Sequence, residues 1–142
     1  MAQSVTITTR YRAADSDVVR LTIAWTSAAD GTVTQALDKK YSGILERVVF
    51  NPGATAPTAS YDVTITDDQG YDVLAAQGAD LSATVTTSVK PGIPFKDGTT
   101  TSIAPIVIDD TLTINITNAG DSKNGVIVLY IRIFGDLGHQ SL

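Results

Sequence analysis

Four groups of residues have types and spacings that invite a chemical reading. Asp67, Asp68 and Asp72 lie close together around Gly70, and carboxylate oxygens grouped on a loop are what calcium takes. The oxygen ligands of a calcium loop alternate and end in a distal Glu, and that pattern is missing here. Asp also bonds its own backbone in turns, so turn carboxylates are the expected reading. His139 is the single histidine, and it follows Gly138 in a small polar tail. No Ser, Asp or Glu is tied to it by a catalytic spacing, and one His cannot build a multi-His metal site. Asn118-Ala-Gly-Asp-Ser-Lys123 lacks the spaced glycines and the Lys-Ser/Thr pair of a phosphate loop. Trp25, with Tyr11, Tyr61, Tyr71 and Tyr130, supplies ring faces that suit sugar C–H groups. Trp25 keeps step with Leu21 and Ile23, however, and that register predicts a core anchor. The expectation is a non-enzymatic chain with no cofactor and no metal.

The elements that must hold these residues are strands. Tyr61, Val63 and Ile65 alternate with Asp62, Thr64 and Thr66, the period of a strand with one face buried and one wet. Asp67-Asp68-Gln69-Gly70 breaks the pattern, and Val73-Leu74 resumes an apolar run, so Tyr61–Leu74 is expected to be a central hairpin. The same alternation places strands near Val5–Tyr11, Val18–Thr26, Ile44–Phe50, Thr111–Thr117 and Val126–Phe134. Asp30-Gly31 is a hairpin signal between Thr26 and the run 32–37. Glu46-Arg47 suggests one edge or one wet face. Thr84–Val89 is a diluted strand, and Ala75–Ala83 is the one place for a short helix or 3₁₀ turn. Asn51–Ser60 reads as a Pro/Gly loop. So does Lys90–Pro105, which is long for a compact domain and is expected to touch something.

Short strands with turn residues between them predict an all-β fold. The expected form is an antiparallel β-sandwich with a jelly-roll-like connection. Residues 1–142 suit one domain, with a short arm at 1–4 and a tail at 135–142. The expected core is Trp25, Leu21, Ile23, Val63, Ile65, Leu112, Ile114, Leu129 and Ile131.

Composition narrows the partners. The net charge of −5 and the scattered Lys and Arg argue against a nucleic-acid partner. No apolar run nears the ~20 residues of a membrane span, so no membrane is expected. The start Met-Ala-Gln-Ser-Val-Thr lacks the basic and apolar segments of a secretion signal. With no cysteine, stability must come from packing, pairing and association. The last strand is apolar on both faces: Val126, Val128, Tyr130 and Phe134 lie opposite Ile127, Leu129, Ile131 and Ile133. These four, with Lys90, Pro91, Ile93, Pro94 and Phe95, are the expected contact residues.

Several runs together carry a resemblance. They are Trp25-Thr-Ser, Gly43-Ile-Leu-Glu-Arg-Val-Val-Phe, and Ala56-Pro-Thr-Ala-Ser-Tyr-Asp-Val-Thr-Ile-Thr-Asp, followed by Gly70-Tyr-Asp-Val-Leu and Gln77-Gly-Ala-Asp-Leu-Ser-Ala-Thr. Leu112-Thr-Ile-Asn-Ile-Thr-Asn-Ala-Gly and Val126-Ile-Val-Leu-Tyr-Ile-Arg close the series. The pattern covers most of the chain and resembles a small structural protein of tailed phages and prophages. The resemblance implies a virion component, and within that class a capsid decoration (cement) protein. Its partners would be its own copies, as a trimer, and the major capsid protein. Its place would be the capsid exterior, assembled in the host cytoplasm. The competing expectation is a tail- or neck-associated carbohydrate-binding, adhesin-like module that uses the aromatic residues.

Overall fold

The structure is a computed structural model that describes residues 2–94 and 103–133. Eleven strands and no helix occur among the described residues: β1 (Ser4–Tyr11), β2 (Val18–Thr26), β3 (Val33–Ala36), β4 (Tyr41–Pro52), β5 (Asp62–Thr66), β6 (Thr87–Val89), β7 (Ile93–Pro94), β8 (Ile103–Ala104), β9 (Val107–Asp110), β10 (Thr113–Thr117) and β11 (Asn124–Arg132). All pair antiparallel. The large sheet runs β1-β2-β11-β4-β6, with β9 also on β4; the small sheet runs β3-β10-β5; β7 and β8 form a separate pair. The chain changes sheet at each step from β2 through β6, and again from β9 to β10 to β11.

Alternation explains why one core serves both sheets. Val19, Leu21, Ile23 and Trp25 of β2 share a face with Ile127, Leu129 and Ile131 of β11, and Val33, Val63, Ile65, Ile114 and Ile116 come from the small sheet. All nine residues expected in the core are 2% exposed or less. Burial of that many branched aliphatic side chains, each worth about 1.5–3 kcal/mol, is the main stabilising term.

Strand β4 departs from simple alternation. Tyr41, Gly43 and Leu45 face inward, and then Val48 and Phe50 do, which shifts the phase by one residue. The shift is a bulge, because Tyr130 pairs with Arg47 while Ile131 pairs with Leu45, leaving Glu46 without an opposite residue. Glu46-Arg47 therefore marks a bulge within a strand that is paired on both sides.

Three expectations about connections need correcting. Asp30-Gly31 does turn the chain, with Gly31 at φ +81° and its amide bonded to Ala28, but β2 and β3 do not pair. They belong to different sheets, so the turn carries the chain across the core. The Tyr61–Leu74 hairpin is reduced to a turn at Asp67–Gly70, one bridge between Thr66 and Asp72, and a bond from the Val73 amide to the Ile65 carbonyl. Ala75–Ala83 holds tight turns and no helix; Ala75, Ala76 and Asp80 have positive φ, which no right-handed helix allows. The diluted strand at Thr84–Val89 shrinks to β6.

Candidate interaction surfaces

The carboxylates are occupied with backbone. The Asp72 side chain accepts hydrogen bonds from the amides of Ile65 (3.1 Å), Leu74 (3.0 Å) and Ala76 (3.0 Å). The Asp67 side chain accepts from Gln69 and Tyr71, both at 3.0 Å. These bonds hold the turns that replace the second arm of the expected hairpin. Asp68 instead lies against Asp110. Desolvation, then the hydrogen bond to Asp68 and the charges of Asp68 and Asp67, hold the Asp110 carboxyl above its ordinary range, while Lys40 opposes them. Among the described residues, no group of three or more His, Cys, Asp or Glu is placed to hold a metal ion. His139 lies outside the described residues.

The aromatic residues do not form a platform. Trp25 and Tyr61 are buried, with ring centres 5.8 Å apart and planes tilted by 43°. Tyr71 is exposed alone, Tyr130 is half-buried, and the Tyr11 side chain is outside the described residues. Trp25 and Tyr61 are thus core residues with no face free for a sugar.

On the outer face of the large sheet, register decides what the last strand presents. Val128 stands between Thr22 of β2 and Val49 of β4, and these neighbours leave it 9% exposed. Val126 stands between Ala24 and Asn51 and is half-buried. Tyr130 stands between Arg20 and Arg47, and the Arg47 guanidinium lies 5.2 Å from its ring centre. Arg47 also donates from Nε to the Ser88 hydroxyl at 2.8 Å. Beyond Tyr130, Arg132 meets Asp17 at 3.1 Å and Glu46 at 3.7 Å, and Lys90 meets Glu46 at 3.6 Å. The expected apolar stripe on β11 is therefore covered in part by the chain's own sheet. Phe134 lies outside the described residues.

The connection after β6 behaves differently. Pro91 is buried, while Ile93 is 40% exposed and Pro94 is exposed; Phe95 lies outside the described residues. Across the β7–β8 pair, Ile103 is 52% exposed, and Val107 on β9 is 61% exposed. Lys90, Gly92, Pro94 and Ile103 border an open cavity of about 230 Å³ against Ala75 and Gln77. Sequence reasoning named Ile93 and Pro94 but missed Ile103 and Val107. A signal for Val107 was present in Ile106-Val107-Ile108: with Ile106 and Ile108 buried, the middle residue must face out.

Compared with known proteins, the chain matches no family model, no curated protein and no solved structure.

Proposed function

We propose that this chain is a non-enzymatic, interface-forming structural protein. In its concrete form it is a capsid decoration protein that binds the outer shell of a tailed-phage head as a homotrimer. The observation that carries the reading is that Ile93, Ile103 and Val107, three large apolar residues on the consecutive short strands β7, β8 and β9, are left exposed. Large apolar side chains left in water along one stretch of an otherwise well-buried domain favour a contact surface. A closed ring of copies would cover them with a single repeated contact. Shell contacts beyond about 1,000 Å² would then give durable attachment without chemistry.

The strand order supports a finer description of the fold as a jelly-roll β-sandwich. β2-β11-β4-β9 in one sheet and β3-β10-β5 in the other follow the sheet-to-sheet alternation of that architecture, which recurs in viral capsid and lectin domains. The phage-like runs around Trp25, Gly43–Phe50 and Ala56–Asp67 support the virion setting.

Light scattering across a dilution series tests the assembly. The expected mass is that of three chains, falling to one chain when Ile103 and Val107 are both replaced by Asp, with the dichroism spectrum unchanged. A wild-type mass that stays monomeric at micromolar concentration would overturn the trimer. Electron cryo-microscopy of the source virion tests the location, and density for the chain on the tail alone would overturn the decoration reading.

A further inference from the structure

We propose that the open seam between edge strands β1 and β3 is a strand-acceptor site. It would take a short extended peptide segment of a partner protein, paired by its main chain with the outer edge of β3. β1 ends the large sheet and β3 ends the small one, so the core opens to water between them. The opening is a cavity of about 360 Å³ whose apolar walls are Val5 and Ile7 on one side and Ala36 and Leu37 on the other. Gln35 lies in register with the buried Ile114 and Ile65, at a core-facing position, yet it is exposed. A polar side chain in that place shows that the core lacks a cover there.

The edge of β3 is already engaged in the manner of a strand. In an antiparallel ladder, alternate residues turn their backbone groups toward and away from the neighbour. Leu37 donates its amide to the Leu112 carbonyl at 2.8 Å, so Leu37, Gln35 and Val33 face β10, while Ala36 and Thr34 face out. Thr34 meets a stand-in for a strand: its amide donates to Gln3 Oε1 at 2.9 Å, and its carbonyl accepts from Gln3 Nε2 at 2.7 Å. One primary amide thus makes both bonds that a facing residue's main chain would make. The Ala36 carbonyl accepts from the Gln35 side chain at 3.1 Å, a bond local enough to be exchanged for a strand's.

The same geometry specifies the occupant. Two outward residues offer an edge only a few residues long, too little for the roughly 1,200–2,000 Å² of a stable two-domain interface. Such an edge suits a peptide added strand-fashion, with affinity from main-chain bonds and selectivity from alternate side chains. Residues facing the seam would be small and apolar, resting on Val5, Ile7 and Leu37. The site shares no residue with Ile93, Ile103 and Val107 and does not depend on the virion reading.

The probe is an acetylated, amidated peptide Lys-Val-Thr-Val-Lys, titrated to millimolar concentration against the ¹⁵N-labelled full chain. The expected result is a shift of the Thr34 and Ala36 amides with slowed hydrogen exchange at Ala36. Gln3→Ala, which removes the stand-in, is expected to tighten binding roughly tenfold, the modest net competition of its two hydrogen bonds. Ala36→Pro deletes an outward N–H while sparing the bonds to β10, and it is expected to weaken binding by a similar factor. A peptide N-methylated at its central residue leaves the protein unaltered and is expected to bind no better than buffer. Undisturbed Thr34 and Ala36 amides in both wild type and Gln3→Ala would overturn the proposal, as would equal binding of the N-methylated peptide. Doubling of the Gln3→Ala mass in light scattering without peptide would assign the seam to a second copy and also overturn it.

Discussion

Leu129 and Val128 are adjacent in sequence, and the sheet treats them differently. Leu129 sits between Leu21 and Val48, all three fully buried in the shared core. Leu129→Ala should cost on the order of 2–5 kcal/mol, the transfer free energy plus a cavity, read as a lower urea midpoint. An unchanged midpoint would contradict the register of β11. Tyr61 adds a pH dependence. Burial raises its phenol from 10.0 to about 12. The unfolded chain therefore gives up that proton first, and stability falls as pH rises through this window. Below pH 10 both states hold the proton and the contribution is level. Tyr61→Phe keeps the ring but has nothing to ionise, so its urea midpoint should decline less steeply than that of wild type between pH 9 and 12. Parallel curves for the two proteins would refute the assignment. At this scale the sequence was informative about the core, because alternation names the buried residues without knowledge of their partners. It was silent on Val128, whose cover comes from Thr22 and Val49, two residues brought alongside only by the ladder.

Strand β4 depends on its bulge. The three-residue step from Leu45 to Val48 would by alternation put Tyr41, Gly43 and Leu45 on one face and Val48 and Phe50 on the other, and the bulge at Glu46 absorbs the extra residue so that both groups face the core. Removing Glu46 leaves a step of two, so plain alternation then keeps both groups inward and in register with β11. Deletion of Glu46 should therefore preserve cooperative unfolding, and Glu46→Ala, which loses only partly exposed ion pairs, should cost less than about 1 kcal/mol. Loss of cooperative unfolding on deletion alone, read in urea titrations, would show that the bulge itself, and not the facing of the side chains, holds β4. Strand positions were legible because period two is a local property. Pairing was not. Asp30-Gly31 announces a reversal, but turn chemistry does not distinguish a return within one sheet from a passage to the other. Asp72 misled for a related reason: it stands where a returning strand would begin, and its carboxylate holds three amides in turns instead. The exposed apolar residues were half legible, since proline and glycine marked Lys90–Pro105, while the exposure of Ile103 and Val107 depends on how β8 and β9 are placed.

At the scale of the whole molecule, most strand pairs join segments remote in sequence, which makes loop closure the main obstacle to folding. β11 is the extreme case: the last of the described strands fills the middle of the large sheet, between β2 and β4. Synthesis proceeds from the N-terminus, so β2 and β4 leave the ribosome long before the strand that joins them. Until Arg132 has emerged, both present an unpaired edge beside an uncovered row of Val19, Leu21, Ile23, Val48 and Phe50. A ribosome-stalled chain ending at Lys123 should be cut by protease throughout residues 18–52, and one extended well past Arg132 should resist. Protection of the shorter chain would mean that the two halves of the sheet hold together alone. The nascent polypeptide thus stays without a native core from the release of β2 until that of β11, and holdase chaperones have their longest opportunity just before β11 emerges.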